Sequence, residues 1–289
     1  MTITAKIVAD SIAKNNCRVT TYVLEYPRFI HSELLTTRMF SKNSASSRAI
    51  PIEKMIQKVI DDPAMPIHWS RNQKGMTQSE ELPKDTQFAC KIAWLSGRDK
   101  AVETVQILAR RGVHKAVANR LLEPYLHIKI ILTATEFDNF FKQRCHPDAQ
   151  PEIQALAVAM CEELAKSVPV VRSAECSDWS GWHLPMVSPE ELNDTSEING
   201  YRNLVRSAAR CARVSYDKVD GGESTFDNDL RIFKQLGDGD VMHYSPFEHA
   251  AFPSVDSGFF FNLKGWQSLR WNLEQRSNWF EHIVTKVEK

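Results

Sequence analysis

The chain has no surplus of charge. Thirty-six basic and thirty-six acidic residues cancel, so no global field argues for DNA, RNA or an acidic membrane surface as partner. It also has no run of about 18 apolar residues, and Met1-Thr2-Ile3-Thr4-Ala5-Lys6 lacks the apolar core of a signal peptide. Neither a membrane span nor secretion is expected, and the expected compartment is the cytoplasm. The six cysteines (Cys17, Cys90, Cys145, Cys161, Cys176, Cys211) form no C-x-x-C pair, which removes zinc-ribbon and thioredoxin readings. Single buried or surface thiols are the ordinary outcome in a reducing compartment. No G-x-G-x-x-G, P-loop, G-x-S-x-G or H-E-x-x-H motif occurs, so Rossmann, NTPase, α/β-hydrolase and zincin readings lose their main support. There is no internal repeat and no low-complexity tract.

What is present is an ordinary globular composition, 43% hydrophobic and 25% charged over 289 residues. That length suits one large domain or two modest ones. A strand-like run from Val23 to Leu35 leads into Arg38-Met39-Phe40-Ser41-Lys42-Asn43-Ser44-Ala45-Ser46-Ser47-Arg48. Two arginines there bracket four serines and an asparagine, a set of donors suited to gripping an anion from several sides. A solvated Ser-rich turn is the alternative reading of the same residues.

Apolar spacing predicts a helix from Pro51 to Asp61-Asp62-Pro63, and a long one over Ala89–Leu108. A further helix is expected over Gly112–Pro124, ended by its proline. Leu126–Thr135 reads equally as strand or buried helix, because periodicity alone cannot decide. Helices follow around Phe137–Arg144, over Pro151–Ala165 and over Tyr201–Tyr216. A Gly-rich loop is expected at Gly221-Gly222, then a helix to Leu236 and a histidine-bearing turn. The polar stretch 70–86 reads as a surface loop, and 173–200 as a Trp- and Ser-bearing connector.

Three further clusters could carry chemistry. Asn119-Arg120 places an arginine in an otherwise apolar helix; it either finds a buried partner or lies on the wet face. Asp138-Asn139-Phe140-Phe141-Lys142-Gln143-Arg144 and the residues to Gln150 concentrate amides, a guanidinium and carboxylates. In His243-Tyr244-Ser245-Pro246-Phe247-Glu248-His249 the histidine spacing is poor for zinc. Ser as N-cap, Pro at N1 and Glu at N3 instead predict a capping box, with a helix N-terminus open to an anionic cofactor.

Together these clusters resemble the flavin-dependent thymidylate synthase family (ThyX). The family pattern R-H-R-x-x-S-x-N-E-x-S-x-R-Y is matched in register by Arg38, Ser41, Asn43, Ser46 and Arg48, after Pro27-Arg28-Phe29. Thr36 and Thr37 stand at the first Arg and the His, Ser44 at the Glu and Ala49 at the Tyr. Asn119-Arg120-Leu121-Leu122-Glu123-Pro124, Asn139-Phe140-Phe141-Lys142-Gln143-Arg144 and Ala149-Gln150-Pro151-Glu152-Ile153 are similar to later family segments. The segments Ala208–Tyr216 and His243–Phe252 resemble the family's opening half, yet follow the R-x-x-S block. That permuted order, and the segment Asn262–Arg270, resemble the longer phage-type relatives. The resemblance covers about two thirds of the chain.

The resemblance implies an α/β fold with a central antiparallel or mixed sheet flanked by long helices. It divides the chain into a nucleotide- and flavin-binding half (1–172), the connector 173–200 and a second block (201–289). The implied reaction is flavin-dependent C5 methylation of a pyrimidine deoxynucleotide monophosphate, dUMP to dTMP. FAD is the implied cofactor, with methylenetetrahydrofolate and NADPH as co-substrates. By the resemblance Ser46, Arg48 and Arg120 hold the nucleotide phosphate, and Glu33 stands near the nucleotide where relatives have Gln. Arg144 lies at the pyrimidine carbonyl as the catalytic cation. Arg38, Ser44, Asn139, His243, Ser245 and Glu248 line FAD, and no metal is implied. The substitutions at Glu33, Thr36, Thr37 and Ser44 open two further outcomes, hydroxymethylation of dUMP or dCMP and a catalytically silent flavin- or nucleotide-binding relative. Family resemblance also implies a homotetramer, in the host cytoplasm if the protein is viral, with neither nucleic acid nor membrane as partner.

Overall fold

The computed structural model describes residues 3–78, 80–175, 179–216, 225–237 and 241–289. Cys176 and the expected loop at Gly221-Gly222 lie outside them. The chain opens with a hairpin of Thr4–Ala13 (β1) and Arg18–Pro27 (β2), paired antiparallel. Its turn passes through Asn16 at φ 62°, a left-handed conformation that asparagine tolerates better than most residues. Tyr22, Leu24 and Tyr26 are fully buried on one face of β2, while Thr21 and Val23 take the other by strand alternation.

The run expected as strand to Leu35 stops at Pro27. A 3₁₀ turn (Arg28–Ile30) and a short helix His31–Leu35 (α1) follow. Proline cannot donate to a further ladder bond, and the His-Ser-Glu that follows has little strand propensity. The Ser-rich segment is no simple turn, because Ser41–Ser44 forms an edge strand (β3). Next come Ile52–Asp61 (α2) and Lys84–Arg110 (α3), both at predicted positions. The helix expected over 112–124 is only Lys115–Ala118 (α4) before the chain tightens into 3₁₀ geometry over Asn119–Tyr125. There the buried Asn119 side chain donates to the Ser47 and Ile50 carbonyls at 2.7 and 3.0 Å, and Pro124 has no N–H for a regular turn.

The ambiguous Leu126–Thr135 segment is a strand, His127–Ala134 (β4), antiparallel to both β2 and β3. Asp138–Arg144 (α5) and Pro151–Lys166 (α6) follow, and Val170–Arg172 (β5) pairs parallel with β1. The result is a mixed five-stranded sheet in the order β3-β4-β2-β1-β5.

Both faces of this sheet are covered. On one, Tyr22, Leu24, Ile128, Ile130 and Leu132 pack against Phe137 at the start of α5, Phe140 within it, and Ile153, Leu156 and Met160 of α6. Each such side chain contributes roughly 1.5–3 kcal/mol by leaving water. The other face meets the second half of the chain: Ile131 and Val23 contact Cys211 and Val214, and Val19 contacts Ala251 and Trp266.

That second half contains Pro189–Leu192 (α7), Glu197–Arg213 (α8), Phe226–Gly237 (α9), and four short strands, Ala251–Pro253 (β6), Phe259–Phe260 (β7), Leu263–Lys264 (β8) and Trp266–Ser268 (β9). Leu269–Gln275 (α10) and Trp279–Glu288 (α11) complete it. Within the stretch expected as connector, Trp182, His183 and Leu184 are buried and α7 has a complete Ser188–Glu191 capping box. Glu191 accepts two Arg210 hydrogen bonds at 2.7 Å and pairs with Arg206 at 3.1 Å. Arg210 also reaches the buried Asp229 at 3.0 Å, tying α7, α8 and α9 together.

Candidate functional site

A buried polar seam fixes the H-Y-S-P-F-E-H turn to the sheet. Ser11 and Thr21 bond the two ring nitrogens of His183 at 2.9 and 2.8 Å. Thr21 reaches Thr133 at 2.7 Å, and Thr133 reaches His249 Nδ1 at 2.8 Å. Both imidazoles are fully enclosed, and desolvation pushes each down to about 3. They are therefore neutral, consistent with a His249 Nε2 that has no hydrogen-bond partner among the described residues.

With His249 held beneath, the turn Ser245–Glu248 is a four-residue 3₁₀ segment. Its N-cap is Tyr244, with no side-chain cap bond. The expected Ser245 capping box and open helix N-terminus are therefore absent. A turn pinned at His249 and buried through Pro246 and Phe247 has no room to extend into an α-helix.

This turn, β3, the end of α8 and α9 enclose a cleft of about 640 Å³. Asn43, His243 and Ser245 line it, joined by Arg213, Arg231 and Gln235. Across the cleft floor the Asn43 amide donates to the Cys211 carbonyl at 2.8 Å, and Ser245 Oγ lies 3.5 Å from Asn43 Oδ1. Two arginines, amides, hydroxyls and an imidazole fit a ligand carrying both phosphate and polar ring edges. Of the residues expected around flavin, His243 and Ser245 meet here. Arg38, Ser44, Asn139 and Glu248 do not line this cleft. Glu248 is engaged with Arg270 at 2.7 Å, whose guanidinium lies over the Tyr244 ring at 4.9 Å. Arg38 and Asn139 are exposed, and Ser44 closes β3.

The residues expected at the phosphate form a second group. The Ser46 N–H donates to the Ser215 carbonyl at 3.0 Å, and Arg48 is exposed beside it. Arg120 pairs with Glu123 at 2.9 Å; Arg28 pairs with the same carboxylate at 3.2 Å, and Ser47 Oγ donates to it at 2.6 Å. Burial raises the Glu123 carboxyl, but the Ser47 hydrogen bond and the Arg28 and Arg120 charges outweigh it and hold it below its usual range.

Arg144 and Glu33 form a third group. Arg144 Nη2 lies 3.5 Å from Thr36 Oγ1, which donates to the Glu33 carbonyl at 2.6 Å. The Glu33 carboxylate accepts from Ser32 Oγ at 3.0 Å. Among the described residues, no hydrogen bond or ion pair links Arg144 to Ser46, Arg48 or Arg120.

Sequence reasoning did not single out Arg28, Lys42, Arg231 or Gln235. Lys42 Nζ donates to the Thr37 carbonyl at 2.8 Å, and burial lowers its pKa against the opposing pull of Glu248. Its place between Ser41 and Asn43 was the available signal. Arg231 and Gln235 come from α9, where no motif marks them.

A family model described as thymidylate synthase complementing protein matches residues 14–170. Among solved structures, the chain is similar to the UMP/dUMP methylase PolB from Streptomyces cacaoi bound with 5-Br UMP. The TM-score is 0.49 at 16% identity, covering 57% of this chain and 89% of that one. The same methylase bound with 5-Br dUMP gives a TM-score of 0.46 at 16% identity, covering 57% and 90%. No curated protein sequence matches the chain.

Proposed function

The chain belongs to the thymidylate synthase complementing protein family, and from that premise we propose that it transfers a one-carbon unit from methylenetetrahydrofolate to C5 of a pyrimidine deoxynucleotide monophosphate, converting dUMP to dTMP. The observation that carries this reading is the cleft where Asn43 of the R-x-x-S segment meets His243 and Ser245 of the second block. Two motifs far apart in sequence there supply one continuous set of donors. His243 and Ser245 would hold FAD in this cleft; once reduced by NADPH, it would supply the reducing equivalents that turn a transferred methylene into a methyl group. Within the cleft, Asn43, His243 and Ser245 orient the polar ring edges, and Arg213 and Arg231 face the ligand's phosphates.

Arg48 and Arg120 are the phosphate contacts. Glu123 keeps Arg120 and Arg28 in place through charge-assisted bonds. Arg144 meets the pyrimidine carbonyl, where a fixed cation stabilises negative charge developing on the ring. Ser46 joins the cleft through Ser215, whereas no hydrogen bond or ion pair among the described residues links Arg144 to it; that division supports an oligomer, expected as a tetramer, in which neighbouring subunits complete each site.

The Glu33 carboxylate accommodates a second reading for the base. Ionised, it only accepts hydrogen bonds. It therefore suits the N3–H of uracil or the amino group of cytosine, and dCMP with a hydroxymethyl product is the runner-up. Incubation with dUMP or dCMP, labelled methylenetetrahydrofolate and NADPH tests both. The expected result is a flavin spectrum bleached by NADPH and label in a 5-methyl product from dUMP. Failure of both bases to yield a labelled 5-substituted nucleotide overturns the enzyme reading.

A further inference from the structure

The far side of the second block carries a groove that this reaction does not use. It encloses about 570 Å³ and is lined by Trp179, Trp182, Tyr201, Gln267, Arg276 and Trp279, among others. That volume lies within the range of small-molecule sites. Tyr201 and Arg213 stand near opposite ends of α8, about 18 Å apart along its axis at 1.5 Å per residue, so the groove is separate from the cleft.

The sequence builds the groove at some cost. Gly200 sits inside α8, where glycine is about 1 kcal/mol worse than alanine. A Cβ there would fall 1.9 Å from Trp179 Cγ, so glycine is what lets the indole lie against the helix. Trp179 and Trp182 have ring centroids 6.3 Å apart at 22°, and Trp182 and Trp279 are 6.3 Å apart at 24°. Three indoles thus form a stepped tier of nearly parallel faces. Tyr201 closes one end edge-on to Trp179 at 4.6 Å.

At the other end the Arg276 guanidinium lies 5.2 Å from the Trp279 ring centroid. Arg276 has no carboxylate partner among the described residues. The rim acid Glu197 is already paired with Lys286 at 2.8 Å. Among the described residues, the groove therefore sets a cation with no carboxylate partner beside stacked aromatic faces.

We propose that this groove is a second ligand site, for a nucleoside monophosphate whose base stacks on the indole tier and whose phosphate meets Arg276. Near-parallel indoles favour a flat ring over a puckered sugar. A guanidinium fork fits two phosphate oxygens at once, and the Gln267 amide can bond the base or ribose edge. The volume and the extended tier suit a purine.

Tryptophan fluorescence of the full-length protein, titrated with AMP, adenosine and inorganic phosphate, tests this. AMP should quench saturably, adenosine weakly and phosphate not at all. Arg276→Gln, an exposed substitution, should weaken AMP at least tenfold and leave adenosine unchanged. Trp279→Leu should weaken both, whereas Arg48→Ala, in the phosphate group of the proposed reaction, should leave AMP quenching intact. The proposal is overturned if millimolar AMP gives no saturable quenching. It is equally overturned if Arg276→Gln binds AMP as the wild type does, or if Arg48→Ala abolishes the quenching.

Discussion

Acidification should weaken the protein well before its carboxylates titrate, because the seam His183–Thr21–Thr133–His249 holds two imidazoles neutral. Desolvation brings both to about 3, with the Arg172 charge adding at His183 and Asp10 opposing it. In the unfolded chain an unperturbed histidine titrates near 6.5. Between these values the unfolded state binds more protons, so stability rises with pH and is lost as pH falls from about 6.5 toward 3. From pH 7 to pH 5 each imidazole costs about 2 kcal/mol, and the pair about 4 kcal/mol. That is a large share of the roughly 5–15 kcal/mol of a typical domain. Burial lowers His31 to about 4 as well, with Arg28 and Lys42 adding, so it acts in the same direction. Urea unfolding at pH 7, 6 and 5 measures the slope, with a constant m-value as the control for unchanged exposed surface. His183→Gln/His249→Gln should lower stability at pH 7 but remove most of the slope between pH 7 and 5. A wild type that is flat over this range, or a double variant with the same slope, refutes the account.

Glu191→Ala strips the shared carboxylate from Arg206 and Arg210 and should cost about 3 kcal/mol in urea unfolding, because Arg206 loses its carboxylate and Arg210 keeps only Asp229. Gly200→Ala improves helix propensity, yet it drives a methyl into the Trp179 ring. The expected net is a destabilisation of about 1–3 kcal/mol, with a red-shifted tryptophan emission. On the proposed reaction, Arg144→Ala should lower turnover by about 10²–10³-fold, the typical loss for one transition-state donor. On the same proposal, the FAD absorbance of the purified variant should match wild type.

Long helices were legible because their apolar spacing is regular: α2, α3 and α6 fall where periodicity places them. β4 was not, because Ile130 and Ile131 are both fully buried and neighbouring residues face two different covers. A strand covered on both sides loses the alternation that marks a half-buried one. β1 went unread, since Thr4–Ala13 mixes polar and apolar residues without a clean period. The capping-box signal at Ser245 was locally sound and was overridden by the seam that holds His249.

The meeting of Asn43 with Ser245 was not read from the sequence: Asn43 matched the family pattern without an assigned place in the site. No local spacing brings residues separated by 202 positions together. Arg231 and Gln235 were invisible because their role arises from the face α9 turns to the cleft.

The covering of the sheet by the second half also bears on synthesis. Thr133 waits for His249, which lies 116 residues downstream. At about 5–20 residues per second, that delay is roughly 6–23 seconds. Through it the edge of β3 and the Val23–Ile131 face stand open to water. Unpaired strand edges are templates for joining other chains, and late long-range closure slows folding. A fragment ending before Trp179 should collect as aggregate where the full chain stays in solution.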